Sequence, residues 1–252
     1  MASLQGRHAL VTGGGRGIGR ATAAALSRAG ATVTVIGRSE DVLKDAVAKG
    51  DARNFALADV TDGKAMAGAV GKAVSASGPI DLLVSNAGSA KGAVFAKADP
   101  DVFREMFDVH AMGMVHATQA VLGGMVSRGF GRVVAIASIA GLKGFENMSA
   151  YCAAKHAMVG LVRSLALETA KSGVTVNAVC PGYVDTDMIR GAMDRMVQKG
   201  STRDQALAQF ADEMPAGRLV RPDEVAEAVV YLCSPAAAAV TGTTLVIGAE
   251  GP

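Results

Sequence analysis

Short apolar runs alternate with helical stretches along this sequence, and that alternation constrains the fold more than any other feature. The predicted strands are His8–Val11, Thr32–Ile36, Arg53–Ala58, Asp81–Ser85, Arg132–Ala137, Val174–Val179 and Thr244–Ile247. The predicted helices are Ile18–Ala29, Glu40–Lys49, Asp62–Ser77, Asp101–Ser127, Ala150–Lys171 and Pro222–Cys233. Strands separated by helices at this spacing form right-handed crossovers, so the sequence predicts an α/β fold: a doubly wound parallel sheet of about seven strands with helices on both faces.

The length and composition fit one Rossmann-type domain over residues 1–252. With 50% hydrophobic residues the chain can bury a single large core, and no Pro- or Ser-rich linker divides it. A formal charge of +2 provides no basic surface of the kind that nucleic-acid binders carry. No uninterrupted apolar run reaches the length of a membrane span. We therefore expect no nucleic-acid partner and no membrane.

We also expect a cytoplasmic protein without a catalytic metal. Cys152, Cys180 and Cys233 lie scattered among aliphatic residues, as free thiols do in a reducing compartment. The first predicted strand begins a few residues after Met1, which leaves no room for a cleaved signal peptide. The histidines show no metal-ligand spacing with carboxylates or cysteines.

A glycine-rich loop, TGGGRGIG at Thr12–Gly19, follows the first predicted strand. Glycine permits positive φ and a close approach of the backbone to a ligand. The helix that begins here presents unpaired N–H groups and a positive dipole end to an anion. The spacing lacks the Gly-Lys-Ser/Thr of nucleoside triphosphatases. We favour a pyrophosphate cradle over the alternative, a flexible strand-to-helix turn.

The end of the second predicted strand bears on the choice of cofactor. An acidic residue at this place usually binds the ribose hydroxyls of NAD, whereas an arginine accommodates the 2′-phosphate of NADP. Here Arg38 stands in place of the acid, and Arg16 in the glycine loop supplies a second cation. These residues favour NADP(H), with NAD(H) as the other candidate. The simpler interpretation of Arg38 is a solvated surface charge.

Ser138, Tyr151 and Lys155 supply the side chains for a reaction. Ser138 follows the fifth predicted strand, and the next helix begins with Tyr151 and carries Lys155 four residues later. Residues i and i+4 share a helix face, so the ammonium should lower the pKa of the phenol below its usual value of about 10. A phenol that exchanges a proton beside a hydroxyl that holds an oxygen can interconvert C=O and C–OH. The alternative is an ordinary surface pair.

With these pieces in place, the chain resembles the short-chain dehydrogenase/reductase family, in its single-domain branch, over nearly its whole length. The resemblance rests on five motifs in the family's order. They are Thr12–Gly19, Asp59-Val60, Asn86-Ala87-Gly88, Ser138 with Tyr151-x-x-x-Lys155, and Pro181-Gly182-Tyr183-Val184-Asp185-Thr186.

The resemblance implies a role for each motif. Asp59 would accept a hydrogen bond from adenine, and Asn86-Ala87-Gly88 would lie under the adenosine ribose. Ser138 would hold the substrate oxygen, Tyr151 would act as general acid or base, and Lys155 would bind the nicotinamide ribose. The cofactor-binding residues expected from the loop and the resemblance together are Thr12, Gly13, Gly15, Arg16, Gly17, Ile18, Gly19, Arg38, Asp59, Val60, Asn86, Ala87, Gly88, Tyr151, Lys155, Pro181, Gly182, Val184 and Thr186.

Two positions depart from the family pattern. His110 stands where the family usually has an asparagine that takes part in a water relay through its backbone carbonyl. Its imidazole could serve as a proton relay with a pKa near neutral, or it could be a tolerated replacement without a catalytic role. At the C-terminus, Ile247-Gly248-Ala249-Glu250-Gly251 replaces a frequent Asp-Gly-Gly, so packing or subunit contacts there could differ.

The two long central helices predict an oligomer. Each has apolar residues on more than one face, although a helix that covers a sheet needs only one apolar stripe. Phe103, Phe107, Met114 and Val121 form one such stripe, and Met112, Val115 and Leu122 lie off it. Met158, Leu161, Leu165, Val159, Val162 and Ala166 repeat the arrangement on the second helix. The resemblance makes a homotetramer the expectation, and a monomer rich in aliphatic residues is the alternative.

Residues 187–214 form a polar, methionine-rich segment in which the resemblance places a substrate lid. Substrate contacts are expected from this segment and from Ile139–Met148. Arg190, Arg195, Lys199 and Arg203 could meet an acidic carrier such as coenzyme A or acyl carrier protein, but a solvated face is the interpretation we prefer.

Together these features predict an NAD(P)-dependent oxidoreductase that transfers a hydride between the cofactor and a secondary alcohol or ketone. A 3-oxoacyl or hydroxyacyl compound is the first candidate substrate. A sugar-nucleotide epimerase is disfavoured because the resemblance implies a longer chain and another glycine spacing for that class. The alternative from a different class is a dinucleotide-sensing or scaffold protein with a silent active site.

Overall fold

A parallel sheet of seven strands organises the computed structural model, which describes residues 4–249. The strands are β1 His8–Thr12, β2 Thr32–Gly37, β3 Asn54–Leu57, β4 Leu82–Ser85, β5 Gly131–Ile136, β6 Val174–Pro181 and β7 Thr244–Ile247. Their order across the sheet is β3-β2-β1-β4-β5-β6-β7, and every pair is parallel. The prediction of a doubly wound fold is confirmed.

Nine α-helices cover the two faces of the sheet within residues 4–249. They are α1 Gly17–Arg28, α2 Glu40–Ala48, α3 Gly63–Ser77, α4 Pro100–Phe107, α5 Gly113–Ser127, α6 Ser149–Thr169, α7 Asp187–Gln198, α8 Arg203–Ala211 and α9 Pro222–Cys233. Within these residues, no helix combines the length and the apolar character that crossing a membrane requires.

The long helix predicted over Asp101–Ser127 is interrupted. A π-helical turn, Asp108–Met112, separates α4 from α5. Such a turn inserts extra backbone into a helix and often marks a functional site. His110 lies in the middle of this turn and is buried. Residue spacing alone does not distinguish a π-turn from continuous α-helix, so the sequence predicted one uninterrupted element.

Helices α7 and α8 were not predicted from the sequence, which indicated only a polar segment there. The apolar stripe of each is thin: α7 buries Met193, and α8 buries Ala206 and Ala211. A capping box between Thr202 and Gln205 begins α8, in which the Gln205 backbone amide donates to the Thr202 hydroxyl, with 3.2 Å between nitrogen and oxygen. The capping box accounts for the start of α8, whereas α7 has an apolar face on which Ile189, Met193 and Met196 are buried or half-buried.

The core lies in two layers, one on each face of the sheet. Side chains alternate between faces along each strand, so Leu10 joins one layer while Ala9 and Val11 join the other. Both layers cover the strands, which explains why the strands are apolar runs and not alternating patterns.

The strand order places the ligand site. It reverses between β1 and β4, the switch point at which doubly wound sheets bind ligands beyond the carboxyl ends of their strands. Four of the predicted motifs lie at these ends: the glycine loop after β1, Asn86 after β4, Ser138 after β5 and the turn that begins at Pro181. In the C-terminal motif that differs from the family pattern, Ile247 ends β7, whereas Glu250 and Gly251 fall outside the described residues.

Candidate active site

The glycine loop has the backbone that a pyrophosphate cradle requires. Gly13 has φ of +65° and Gly17 has φ of +50°, values that favour glycine. A Cβ at Gly19 would collide with the Gly13 carbonyl oxygen, because the first turn of α1 lies directly against the loop. The start of α1 therefore presents its N–H groups to the crevice. This close approach fits a bound dinucleotide and leaves no room for larger residues.

Asn86 holds the glycine loop to the end of β4. Its side-chain amide donates to the carbonyl oxygens of Thr12 at 2.9 Å and Gly13 at 3.2 Å. The Thr12 hydroxyl accepts hydrogen bonds from the backbone amides of Asn86 and Ala87 at 3.0 and 3.1 Å. These reciprocal bonds fix the switch-point crevice before any ligand binds.

Arg38 and Asp59 lie side by side beyond β2 and β3. The Arg38 guanidinium is 3.4 Å from the Asp59 carboxylate, and the Arg38 side chain is 78% exposed. Asp59 also accepts hydrogen bonds from the Thr61 amide and hydroxyl at 3.0 and 2.9 Å. The Thr61 amide, more than Arg38, holds the pKa of Asp59 below its ordinary value. Asp59 is half-buried, and Val60 next to it is buried.

Ser138, Tyr151 and Lys155 line one cavity of about 1090 Å³. The Ser138 hydroxyl lies close enough to the Tyr151 phenol to influence its pKa. The Ser138 oxygen also accepts from the Ala140 amide at 3.1 Å. The Lys155 ammonium donates to the Ile136 carbonyl at 2.8 Å and lies 5.6 Å from the centroid of the Tyr151 ring. The predicted trio therefore converges, although its members come from different elements.

The predicted fall in the tyrosine pKa is wrong for the unliganded protein. Burial raises the pKa of Tyr151 to about 12, although the nearby Ser138 hydroxyl acts in the opposite direction. Burial also lowers the pKa of Lys155 to about 7. Desolvation penalises both charged forms, and it outweighs the attraction that helical spacing suggests. The phenol is therefore a proton donor at neutral pH.

His110 contacts the trio from the π-turn. Its Nε2 lies 2.7 Å from the Ser89 carbonyl oxygen, which can only accept, so Nε2 carries the hydrogen. Its ring meets that of Tyr151 edge-on, with centroids 5.4 Å apart and planes at 81°. Burial, assisted by the Lys155 charge, lowers the pKa of His110 to about 3. The predicted near-neutral pKa is wrong, because no anionic partner offsets desolvation.

The turn from Pro181 to Thr186 connects the end of β6 to α7. The Gly182 amide donates to the Ile247 carbonyl at 3.0 Å, which anchors the turn to β7. Val184 pairs with Val220 in an isolated parallel bridge. A Cβ at Gly17 would lie 3.3 Å from the Thr186 methyl group. Thr186 thus closes the crevice opposite the glycine loop.

The cavity contains most of the predicted site residues but not all. Those that line it are Gly13, Arg16, Gly17, Ile18, Asn86, Ala87, Gly88, His110, Ser138, Tyr151, Lys155, Pro181, Gly182, Val184 and Thr186. Thr12, Gly15 and Gly19 lie behind the loop, where they support its shape. Arg38, Asp59 and Val60 do not line the cavity.

Some lining residues were missed by the sequence reasoning. Phe145, Met148 and Phe210 lie inside the two segments expected to contact substrate, so both segments contribute to the cavity lining, although these residues were not singled out. Ala90, Lys91, Gly92 and Val102 also line the cavity, and no sequence pattern marks them. Gly92 packs against Met148, a contact that only the folded chain creates.

The fold and the site define a class of protein: a dinucleotide-binding oxidoreductase with a serine, tyrosine and lysine in its crevice. Comparison with known proteins refines this class. A family model described as short chain dehydrogenase matches residues 7–196. The chain belongs to that family, and it is an NAD(P)-dependent oxidoreductase that acts on ketone or alcohol groups.

Several relatives and solved structures are similar over the whole chain. An acetoacetyl-CoA reductase from Shinella zoogloeoides is 38% identical over 240 residues, 95% of each chain. The 3-oxoacyl-(acyl-carrier-protein) reductase FabG of Vibrio harveyi is 36% identical over 96% of each chain. A crystal structure of a variant actinorhodin polyketide ketoreductase with NADPH superposes with a TM-score of 0.92, at 36% identity, covering 98% of this chain and 97% of that one. A levodione reductase structure also reaches 0.92, at 31% identity, with 97% and 96% covered.

Proposed function

We propose that this protein reduces a ketone to a secondary alcohol with NADPH, and that Ser138, Tyr151 and Lys155 carry the reaction. The observation that supports this most is the convergence of the Ser138 hydroxyl, the neutral Tyr151 phenol and the Lys155 ammonium on one large cavity. When bound, the nicotinamide cofactor supplies the hydride. The residues named here hold the carbonyl and move the proton.

Tyr151 is the general acid of the proposed reaction. Its raised pKa keeps the phenol protonated at neutral pH, so its hydroxyl can donate to the carbonyl oxygen as negative charge develops there. Ser138 donates a second hydrogen bond to the same oxygen and so stabilises that charge. In the opposite direction, alcohol oxidation requires the phenolate, and that direction should be favoured at high pH.

Lys155 would bind the nicotinamide ribose, and its ammonium would place a positive charge near the Tyr151 phenol. Its ammonium already donates to the Ile136 carbonyl, which fixes its position at the end of β5. The glycine loop, Asn86 and the turn from Pro181 to Thr186 would hold the remainder of the cofactor. Each of these groups borders the same cavity as Lys155.

His110 acts as a positioning residue in this proposal. With its hydrogen on Nε2 and its pKa near 3, it remains neutral and does not relay protons by titration. Its bond to Ser89 and its edge contact with Tyr151 fix the loop after β4 relative to the phenol. Its Nδ1 is buried without a hydrogen-bond partner among the described residues. A water or a cofactor hydroxyl is the partner that this acceptor lacks.

NADPH is the proposed cofactor, in preference to NADH. Arg16 lines the cavity, and no ion pair engages it within residues 4–249. Arg38 makes one exposed ion pair with Asp59, and its guanidinium is open to a phosphate. The solved ketoreductase that resembles this chain contains NADPH, which supports the same assignment.

A 3-oxoacyl compound is the proposed substrate class, supported by the names of the two reductases similar to this chain. Four cations of residues 187–214 could meet an acidic carrier. Of these, Arg190 pairs with Asp185 at 2.9 Å, and Arg203 pairs with Asp194. Arg195 lines the cavity and has no ion-pair partner in the part of the chain that the structure describes. It is the cation best placed to meet an anionic group of the substrate.

Replacement of Tyr151 tests the function. We expect Tyr151→Phe to lower the turnover of NADPH with acetoacetyl-CoA by about 10²- to 10⁴-fold, because the acidic proton is lost. NADPH affinity, measured by fluorescence titration, should change little. Tyr231→Phe is the matched control, since Tyr231 is exposed on α9 outside the cavity. Near-normal turnover in Tyr151→Phe would reject the roles proposed here.

The alternative of a sensor with a silent site gives a different result. Such a protein would bind NADPH and consume none of it with any member of a ketone panel. The convergence of Ser138, Tyr151 and Lys155 argues against that outcome, because a silent site has no need of a buried lysine beside a phenol.

A homotetramer is also proposed. Much of the predicted surplus apolar surface lies in the core, since Met114, Val121 and Met158 are buried. The large apolar residues that remain exposed on α4, α5 and α6 are Phe107 at 45%, Val126 at 43% and Leu167 at 81% of their surfaces. A second, smaller cleft between α4 and α6 is lined by Phe103, Phe107, Ala150, Ala153 and Ala154, among others. Apolar surface of this kind indicates a subunit contact.

Sedimentation of two variants would test this assembly. Leu167→Glu should reduce the molecular mass in solution, because a charge would be buried at the contact. Val94→Glu, at an exposed position outside α4, α5 and α6, should leave the mass unchanged. A wild-type monomer would contradict the proposal.

Residues 187–214 are the proposed lid, and the three buried thiols support a reducing, cytoplasmic location.

A further inference from the structure

Aromatic side chains are concentrated in the active-site cavity. The chain has seven phenylalanines, three tyrosines and no tryptophan. Four of these ten residues, Phe145, Tyr151, Tyr183 and Phe210, line this one cavity. Tyr151 has a role in the reaction, whereas the proposed reaction gives the other three none. We refer to Phe145, Tyr183 and Phe210 as the aromatic wall.

The aromatic wall is assembled from three separate segments. Phe145 lies in the loop after β5, Tyr183 in the turn after β6, and Phe210 near the end of α8. The ring centroids of Phe145 and Tyr183 are 6.4 Å apart, with planes at 69°. Those of Tyr183 and Phe210 are 4.9 Å apart, with planes at 73°. These edge-to-face contacts form one continuous surface.

Polar contacts hold the central ring of the wall in place. The Tyr183 hydroxyl donates to the Glu213 carboxylate at 3.2 Å, and the Tyr183 amide lies 3.4 Å from the Met214 sulfur. Both partners follow α8 in the chain, so Tyr183 ties the end of that helix to the turn after β6. The ring orientation is therefore set before a substrate enters.

The wall is built for contact with a ligand. All three rings are half-buried, and all three line the cavity. Half-buried apolar side chains along a concave surface are typical of ligand sites. The same cavity also has an aliphatic lining, made of Val102, Met148, Met188, Ile189 and Ala192. An apolar group attached to the reacting carbonyl would be desolvated there.

We propose that the aromatic wall selects ketones that carry a ring, or a comparably bulky apolar group, beside the carbonyl, over ketones that carry only a methyl group. This inference rests on the proposed ketone reduction. A methyl group is too small to cover the wall while the carbonyl lies at Ser138 and Tyr151. A ring adds buried apolar area and edge-to-face contacts with Tyr183 and Phe210, which favours it by tenfold or more.

Two esters that differ only by a phenyl group provide the test. Ethyl 3-oxobutanoate and ethyl 3-oxo-4-phenylbutanoate share the ester and the reacting ketone, and a CH₂ group in the second prevents conjugation. NADPH consumption gives kcat/KM for each. We expect the phenyl ester to have at least about a tenfold higher kcat/KM in the wild-type protein.

Variants then assign the preference to the wall. Phe210→Ala should reduce the ratio of the two kcat/KM values to about threefold or less, mainly through a higher KM for the phenyl ester. Phe210→Leu, which keeps an apolar side chain, should fall between the two and serves if the alanine variant folds poorly. Phe95→Ala is the matched control: Phe95 is 72% exposed, packs on Phe103 at 6.0 Å and does not line the cavity. It should leave the ratio unchanged.

The possible results separate the two proposals. Equal kcat/KM values for the two esters in the wild type would overturn the selection of bulky ketones and leave ketone reduction intact. A wild-type preference that survives in both Phe210 variants would overturn the assignment to the wall. Reduction of neither ester, nor of acetoacetyl-CoA, by a protein that binds NADPH would reject ketone reduction and the selection with it.

Discussion

The two halves of the crevice are built in different ways. The cofactor half, made by the glycine loop, Asn86 and the start of α1, is fixed by backbone contacts: Asn86 donates to Thr12 and Gly13, and Gly19 packs on Gly13. The substrate half, made by α7, α8 and the aromatic wall, depends on side chains. Helices α7 and α8 bury only Met193, Ala206 and Ala211 within their own ranges.

This difference reflects what each half must recognise. A dinucleotide has a constant shape, so a rigid backbone that approaches it closely is the effective solution. A substrate is recognised by apolar area and by a few polar groups, which side chains on weakly anchored helices can provide. We therefore expect substitutions in the cofactor half to affect stability and cofactor affinity together, and substitutions in the substrate half to affect mainly selectivity and local order.

The largest effect should come from Lys155, where the two halves meet. Its pKa falls from 10.5 to about 7 on folding, so between these values the unfolded chain holds a proton that the folded protein has released. Stability should therefore rise as pH increases from 7 to 10, by an upper limit of roughly 5 kcal/mol. Cys180 and Tyr151 act in the opposite sense, because burial raises their pKa values to about 11 and 12, so the unfolded thiol and phenol ionise first and offset part of this rise near pH 10.

Lys155→Met isolates that contribution. Denaturant unfolding of the cofactor-free protein at pH 7, 8.5 and 10 should show a steeper rise with pH in the wild type than in the variant. The difference between the two proteins cancels the titration of surface groups. Parallel pH dependences would show that Lys155 keeps an ordinary pKa in the folded protein.

A pair of glycines, one in each half, should respond in opposite directions. Gly19→Ala brings its methyl group against the Gly13 carbonyl, which we expect to cost about 1–3 kcal/mol and at least tenfold in NADPH affinity. Gly191→Ala on α7 meets only the Arg195 guanidinium at 3.7 Å. It should therefore stabilise the helix by about 0.5–1 kcal/mol. Thermal unfolding and NADPH titration measure both, and similar effects of the two changes would remove the contrast between the halves.

Arg38 should affect the choice of cofactor but not turnover with saturating cofactor. We expect Arg38→Ala to reduce the preference for NADPH over NADH by about tenfold, roughly 1.4 kcal/mol, because a charge partner of the 2′-phosphate is lost. Arg53→Ala is the control, since Arg53 is also exposed but precedes β3, at the amino ends of the strands and away from the carboxyl end that Arg38 follows. An unchanged ratio of cofactor affinities in Arg38→Ala would show that Arg38 is a solvated charge.

Helix caps should give the smallest effect and the finest test. Asp62 caps α3 through hydrogen bonds from the Lys64 and Ala65 amides at 2.9 and 3.0 Å, and Thr202 caps α8. Removal of either cap by alanine should cost about 1 kcal/mol of helix stability. Asp62→Ala should lower the global melting temperature. Thr202→Ala should instead speed proteolysis within residues 187–214, with little change in melting. A global loss in both would show that α8 unfolds together with the sheet.

The chemistry of the site was predictable where a residue's role depends on its place at a strand end. Ser138, Tyr151 and Lys155 were predicted from sequence, and the structure brings them into one cavity. Their ionisation was not predictable, because helical spacing reports which charges are near but not how much water is excluded. Desolvation is a property of the packed cavity. It raises the pKa of Tyr151, which was expected to fall, and it lowers the pKa of His110, which was expected to be near neutral.

The amino-acid sequence by itself determined the parallel sheet, the glycine loop and the family of this protein, because strand–helix alternation and glycine spacing are local patterns. Only the tertiary structure revealed the π-turn at His110, the helices within residues 187–214 and the aromatic wall. Phe145, Tyr183 and Phe210 are far apart in the chain, and the residues around each show only a weak periodic pattern of apolar side chains. Their meeting depends on contacts between segments, and such contacts leave no periodic trace in a sequence.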